Sequence, residues 1–542
     1  METSLTLRNV MAPGAALAVE EPAAPAVVTD YTAIDAHLDN DALRWNGLAE
    51  IGTQVVVTYS FSTIPDIATY NPYGSTSYAA FNTTQQAQFR QALSVFEAAA
   101  GIRFVEVEGT AMINAIRAIG TASGGWASYA FSTSTQTGDG YLANRYTDMS
   151  PGQYGFQVLL HELGHALGLS HPHDGENRVL DGALDTQSNT VMTYNLDSTP
   201  AQELGPFDLQ ALQVLYGTSN QFAGWTVDFF AGTPRIIATA ASETILATGQ
   251  DTRINALGGS DVIWGRGGDD RINAGEGQDT VSGGYGNDTI IGGAWHDVIY
   301  GDVAEYSGVG GNDSIHAGNG NDTVDGGFGS DFINGGGNDD VISGGIGVDT
   351  IRGGQGHDQI DGGAYNDILA GNTGNDTLNG GLGDDRMNGG YNNDVLNGDS
   401  GDDLLLGAAG DDTLDGGLDR DSLRGGNGND LLLGGFHNDT LRGDDGNDTL
   451  NGGDGGDVMI GGLGNDVFVF AYNDAWETNR ILDFRDGVDQ IRIEELGLIY
   501  SDLDFSTINS GRDAVISYSN WFRLILDNTR LSDLSEADFT FV

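Results

Sequence analysis

Along the second half of the chain, apolar residues return with a period that is neither helical nor simply alternating. Each follows an aspartate by two residues, from Ile263 and Ile272 through Leu378 and Leu405 to Met459 and Phe468, and the aspartates recur every nine residues. The run opens at Asp261, Asp270, Asp279, Asp288 and Asp297, and breaks once around GDVAEYSGVGGND. It then continues from Asp313 to Asp466, giving twenty-three copies of a GGxGxDxUx unit. None of the twenty-three U positions is polar. Such a unit predicts a glycine-rich turn of six residues and a strand of three, with the U side chain pointing between two sheets. Two units make one coil, and each turn stacks on the turn two units away. The expectation is about eleven coils, on the order of 50 Å long at a strand spacing of ~4.8 Å.

The first half reads differently. QVVVTYSF (54–61) is a β-branched and aromatic run expected to form a strand. TTQQAQFRQALSVFEAAAG (83–101) places Phe89, Leu93, Phe96 and Ala100 at helical spacing, with a threonine as the expected cap and Gly101 as terminator. IRFVEVE (102–108) alternates as a half-buried strand, and a second helix is expected through QVLLHELGHA. Beyond residue 470 the nine-residue repeat is lost, and NRILDFRDGVDQIRI leads into alternating strands that end in SEADFTFV. The expected division is a leader or pro-segment (1–38), an α/β domain (39–222), a connection (223–257), a parallel β-roll (258–470) and a small β-rich C-terminal cap (471–542).

Composition changes this picture at three points. The net charge of −56, from 78 acidic against 22 basic residues, excludes nucleic acid and anionic membranes as partners. The chain has no cysteine, which excludes disulfides, thiolate metal sites and thiol nucleophiles. No stretch approaches the roughly 18 apolar residues of a membrane span. The N-terminal stretch METSLTLRNVMAPGAALAVEEPAAPAVVTD has Glu20 and Glu21 where a signal peptide would run its apolar core, so a disordered leader or inhibitory pro-segment is expected there.

Eighty-four glycines and the regular aspartates turn the acidity into a candidate chemistry. Glycines at positive φ present carbonyl oxygens inward and each aspartate adds carboxylate oxygen; hard oxygen donors in that number suit calcium. Calcium ligation is assigned to Asp261, Asp270, Asp279, Asp288, Asp313, Asp322, Asp331, Asp349, Asp358, Asp376, Asp385, Asp403, Asp412, Asp430, Asp448, Asp457 and Asp466. Glycine is replaced at the fourth position of some turns. Asn338, Asn392, Asp419 and His437 still tolerate a left-handed backbone, whereas Trp295 and Tyr365 tolerate it poorly. The latter turns are expected to bind calcium weakly or not at all. His296, His316, His357 and His437 read as surface residues.

The remaining chemistry is concentrated in HELGHALGLSHPHDG (161–175). His161 and His165 stand one helical turn apart, so both imidazoles project from one face, and Glu162 lies beside them. Gly168 is placed to end the helix and turn the chain so that His171 becomes a third zinc ligand. His173 falls outside that spacing and is expected on a loop or substrate rim. Downstream, Met192 and Tyr194 in SNTVMTYN complete an HExxHxxGxxH and Met-turn pattern, the metzincin signature.

HELGHALGLSHP, VMTYN, FDLQALQVLYG (207–217), ILDFRDGVDQIRI and the terminal ADFTFV together resemble the serralysin family of secreted bacterial metzincin proteases with RTX repeats. The resemblance implies a zinc endopeptidase acting on protein or peptide substrates, with zinc held by His161, His165 and His171. It also implies Tyr194 as a further ligand that can swing away. Export by a type I secretion machinery that reads an uncleaved C-terminal region, and a secreted monomer without membrane insertion, follow as expectations. In the expected reaction Glu162 moves the proton and Tyr194 stabilises the oxyanion. GGWASYAFS (124–132) is a candidate edge strand for extended substrate. An alternative reading makes the long roll the main functional part, a calcium-dependent surface-binding module, on the strength of a partial threonine ladder at Thr323, Thr377, Thr413 and Thr449.

Overall fold

The structure is a computed structural model. It describes residues 55–61, 77–106, 113–119, 126–127, 138–143, 150–151, 153–167, 204, 208–209, 212, 216, and 222–542 apart from 231–232, 248–249, 303–309, 472–477, 495–497 and 519–521. The N-terminal elements are β1 (Val55–Ser60), β2 (Ser77–Ala80), α1 (Thr83–Ala99), β3 (Ile102–Glu106), β4 (Ile113–Ile119), β5 (Trp126–Ala127), β6 (Gly138–Ala143) and α2 (Tyr154–Ala166). Their sheet runs in the order β3-β1-β4-β6-β5, with β2 also paired to β4. The pairs along β3-β1-β4-β6 are parallel, while β5 lies antiparallel to β6 and β2 antiparallel to β4.

Helix α1 packs because Phe89, Leu93 and Phe96 recur at helical spacing and are all buried, in one cluster with Phe156, Leu160 and Leu163 of α2. Its start differs from expectation by one residue. Asn82, not a threonine, is the cap: its side chain accepts from the Gln85 N–H (2.9 Å) while the Gln85 side chain accepts from the Asn82 N–H (3.1 Å). This reciprocal pair satisfies two otherwise orphaned donors. The end differs too, since Ala100 is extended (φ −146°) and the chain runs directly into β3 without a left-handed glycine. Across the sheet, Arg90 grips Glu106 with two hydrogen bonds (2.6 and 2.7 Å) and the Tyr59 hydroxyl donates to the same carboxylate (2.9 Å).

Residues 235–481 form a parallel β-solenoid of about thirteen turns. Its strands alternate between two sheets, and each pairs in parallel with the strand eighteen residues on, as in Ile263↔Val281 on one side and Ile272↔Ile290 on the other. All twenty-three U side chains are buried between the sheets, none more than 3% exposed. At the irregular step a coil takes 25 residues instead of 18, yet Ile290↔Ile315 and Ile299↔Val324 preserve the stack. The stack is therefore continuous on either side of the insertion.

The solenoid is longer than the consensus repeat, and this corrects both the coil number and the role of segment 223–257. A hairpin, β7 (Thr226–Phe230) with β8 (Thr233–Ile237), opens the stack. Next, β8 pairs with β10 (Arg253–Asn255), and β9 (Thr244–Leu246) pairs with the strand Val262–Gly267. Ile236, Ile245 and Ile254 occupy the same inward position as the U residues and are buried. They keep the nine-residue apolar period in a stretch where Pro234, Glu243 and Thr252 stand at the repeat-aspartate positions. Thirteen coils at ~4.8 Å give a roll of about 60 Å. At the far end Met459↔Ile481 and Phe468↔Ile491 carry the pairing into the cap. There, antiparallel strands 504–508, 513–518 and 522–526, and an aromatic cluster of Tyr500, Phe505 and Phe539, close the core. No helix among the described residues is long and apolar enough to cross a membrane.

Candidate metal centres

Helix α2 carries His161, Glu162 and His165. Its buried stripe is Phe156, Leu159, Leu160, Leu163 and Leu167, the spacing of a helix with one face in the core. His161 is off that stripe and half-buried. Gly164 is buried. The C-terminal end of α2 is held from outside the helix: the buried Tyr216 hydroxyl donates to the Leu167 carbonyl at 2.9 Å. Tyr216 belongs to FDLQALQVLYG, and its contact ties that segment to the end of the histidine-bearing helix. A hydroxyl aimed at a helix-terminal carbonyl leaves no periodic trace in the sequence.

Helix α2 also packs on β5 and β6. β5, the described part of GGWASYAFS, ends the sheet order among the described residues and pairs with β6 through Trp126↔Tyr141 and Ala127↔Gly140. His161 and His165 stand one turn apart on a helix with an anchored end, a sequence spacing that suits zinc. Gly168, His171, His173, Met192 and Tyr194 lie outside the described residues.

In the solenoid the repeat aspartates form two ladders, one at each line of turns. From Asp279 onward each Oδ1 accepts the backbone N–H of the aspartate one coil earlier, as in Asp261 to Asp279 (2.7 Å), Asp349 to Asp367 (2.7 Å) and Asp448 to Asp466 (3.1 Å). The ladders cross the insertion intact, Asp288 N–H reaching Asp313 and Asp297 N–H reaching Asp322, both at 2.8 Å. In twenty-one of these residues, from Asp261 to Asp448, the other oxygen, Oδ2, is buried with no hydrogen-bond partner. Backbone carbonyls stack at the same turns: a Cβ on Gly446 would lie 1.5 Å from the Gly428 oxygen, and one on Gly464 would lie 1.4 Å from the Gly446 oxygen. Buried carboxylate oxygens without donors, facing rows of carbonyl oxygens, form a donor set that fits calcium.

The aspartates outside the expected calcium set behave like the rest. Asp297, Asp340, Asp367, Asp394, Asp421 and Asp439 are equally buried and present the same unpartnered Oδ2. Their turns keep the left-handed backbone whatever stands at the fourth position: Trp295 at φ 85°, Tyr365 at 83°, Asn338 at 79°, Asn392 at 76°, Asp419 at 77° and His437 at 78°. Stacking between coils thus imposes the conformation even on an indole. The expected distinction between strong and weak turns has no counterpart in the geometry. The four roll histidines are exposed, and two of them, His296 and His357, accept the N–H of Asn321 and Asn375 in the next coil.

Burial is the largest influence on the carboxyl groups, with neighbouring aspartates adding to it. Asp270 is pushed up to about 10, Asp288, Asp340 and Asp439 to about 8, and Asp403 to about 7. Without a cation these groups do not all carry charge at neutral pH. The threonines of the suggested ladder share one sheet and one outward position, but residues in other coils interrupt them. Val341 and Gln359 stand between Thr323 and Thr377, Val395 precedes Thr413, and Leu431 precedes Thr449.

Residues 246–303 and 307–468 match the family model of the RTX calcium-binding nonapeptide repeat. The chain is 31% identical over 231 residues to Serralysin A of Dickeya chrysanthemi, covering 38% of this chain and 48% of that one. It is 29% identical over 253 residues to the metallopeptidase AprA of Pseudomonas marginalis, covering 40% and 51%. Serralysin of Proteus mirabilis is 28% identical over 227 residues, covering 35% and 46%. The chain thus spans about half the length of the curated relatives it matches, and the matched region is the repeat part.

Proposed function

We propose that this RTX-repeat chain, similar to serralysins through its roll, is a secreted zinc endopeptidase whose roll folds on binding calcium. The observation that carries the catalytic reading is the placement of His161, Glu162 and His165 on α2, one helix with an anchored C-terminal end, at the head of an HExxHxxGxxH sequence. His161, His165 and His171 are the residues that would hold zinc, with Tyr194 as a further ligand that can move away. Zinc bound there supplies Lewis acidity, lowering the pKa of water toward about 7 and polarising a peptide carbonyl. The Glu162 carboxylate accepts the water proton during attack and returns it to the leaving amine nitrogen. The Tyr194 hydroxyl donates a hydrogen bond to the developing oxyanion. β5, last in the described sheet order and packed on the histidine helix, receives an extended peptide as an added strand along that helix.

The unpartnered aspartate oxygens support calcium as the ion that makes the roll stable, since binding free energy then becomes folding free energy. A chain exported through a type I machinery would stay extended where calcium is scarce and fold where it is abundant. The surface-binding alternative loses its ground because no two of its threonines lie in adjacent strands. Casein hydrolysis by the purified chain tests the proposal: a zinc chelator should abolish it and zinc should restore it. Activity that persists without zinc ends the catalytic reading.

A further inference from the structure

The two aspartate ladders end differently from the way they run. On one, Asp466 N–H donates to Asp489 Oδ1 at 3.2 Å, so Asp489 takes the place of the next aspartate although it stands outside the repeat. On the other, Asp457 N–H donates at 2.7 Å to Asn479, an amide with no charge. The first ladder should therefore end on a buried pair of carboxylates, with Asp466 and Asp489 both almost fully enclosed. Instead Arg485 lies between them. Its Nη2 donates to Asp466 Oδ2 (3.2 Å), to Asp489 Oδ1 (2.9 Å) and to the Gly464 carbonyl. Its Nε and backbone N–H hold Asp489 Oδ2 at 3.3 and 2.8 Å.

These acceptors are of the kind that line every earlier turn: the Oδ2 of a repeat aspartate, the carboxylate of the next coil, and a carbonyl of the fourth turn position. In the coils before, Oδ2 has no donor; at Asp466 it has a guanidinium. A planar cation with several fixed donors can satisfy two carboxylates and a carbonyl together. We propose that Arg485 is a built-in replacement for calcium at the last position of this ladder. The coil carrying Asp466 closes onto the cap without an ion, and the calcium-dependent coils stack on an end that is already neutralised. Asn479 achieves the same on the other ladder by removing the charge.

The inference rests on the calcium reading of the ladders, and one measurement separates the two. Native mass spectrometry of the full chain in saturating calcium counts bound ions as integers. A wild-type chain without calcium ends the underlying reading. If ions are bound, Arg485→Ala, checked for folding by circular dichroism, should carry one more than wild type because the vacated donors take an ion. Asp489→Asn should carry the same number as wild type, since Asp489 serves the arginine. An unchanged count in R485A, or one ion fewer in D489N, overturns the proposal. Should R485A fail to fold, the D489N count decides alone.

Discussion

Removing calcium should make the fold of the roll depend on acidity, in a direction fixed by its buried carboxyls. Asp403 is pushed up to about 7 by burial and by the neighbouring Asp421 and Asp385. In the unfolded chain it titrates near its ordinary value of about 3.9. The folded carboxyl therefore holds its proton more tightly, so stability is fully present below about pH 4 and is lost as pH rises through about 7. Three pKa units at ~1.4 kcal/mol each give about 4 kcal/mol, and water at the turn screens this to about 2 kcal/mol. Each coil contains two such aspartates, hence about 4 kcal/mol against folding at neutral pH. Its two inward aliphatic side chains contribute about 1.5–3 kcal/mol each. The terms are of the same size, so protonation decides the balance when no cation is present. The assay is far-UV circular dichroism of the full chain in EGTA between about pH 8 and about pH 5, above the region where a chain of pI about 4.1 loses solubility. Strand signal should grow as pH falls. A spectrum that stays flat across this window, or gains strand content toward alkaline pH, refutes the reasoning.

Other outcomes follow from single residues. Glu162→Gln should abolish casein hydrolysis while the chain still binds zinc, read by metal analysis beside the activity assay; retained activity would remove Glu162 from its proton-transfer role. Leu405→Ala opens a cavity in a core one side chain thick, and should cost about 2–5 kcal/mol in calcium-saturated thermal unfolding. Trp295→Gly relieves a left-handed indole-bearing residue that is 63% exposed, and should stabilise the calcium-bound roll by about 0.5–1 kcal/mol. Tyr216→Phe leaves the Leu167 carbonyl without its 2.9 Å donor, and should destabilise the N-terminal domain by about 1–3 kcal/mol with a fall in casein turnover; unchanged stability would show that the α2 end needs no anchor.

The roll was legible in the sequence because its period is enforced at every residue. One apolar position per nine must face inward, and one aspartate per nine must reach the neighbouring coil. Where only one requirement holds, the signal weakens. Ile236, Ile245 and Ile254 keep the inward period without the full turn chemistry, so the sequence suggests a connection where the first coils are built. The opposite error arose at Trp295 and Tyr365, whose side chains argue against a left-handed backbone that the stack nevertheless imposes. In the N-terminal domain the apolar faces of α1 and α2 were readable, but the α1 cap was not. Asn82 lies outside the apolar pattern, and its effect depends on Gln85 answering it. Of the histidine motif, the spacing of His161 and His165 shows in the sequence, and both lie on α2. Tyr216 does not show, since it acts on Leu167 through a contact 49 residues away.

The contrast between the two ladder ends sharpens what the acidity of this chain means. A ladder of identical carboxylates has no intrinsic end, because every added coil brings the same charge and the same demand for a cation. A finite roll therefore needs a terminus that breaks the demand. At the cap, Arg485 and Asn479 do so by opposite means, one adding a positive charge and the other omitting a negative one. At the start, Thr252 donates its N–H to Asp270 (2.6 Å) and so occupies an aspartate position without a carboxylate, whereas Glu243 donates to Asp261 (2.7 Å) and keeps one. The two ends are thus unequal. Cation demand is closed at the cap and remains open at Glu243, beside the coil that shares its buried cluster with Val56, Val105 and Phe222. Calcium dependence should consequently be felt most at the end of the roll that adjoins the histidine-bearing domain. In a calcium titration of the full chain followed by hydrogen exchange, amides of the strands around Ile245 and Ile254 should gain protection at higher calcium than those around Met459 and Phe468. Equal midpoints at the two ends would show that the termini do not polarise the roll.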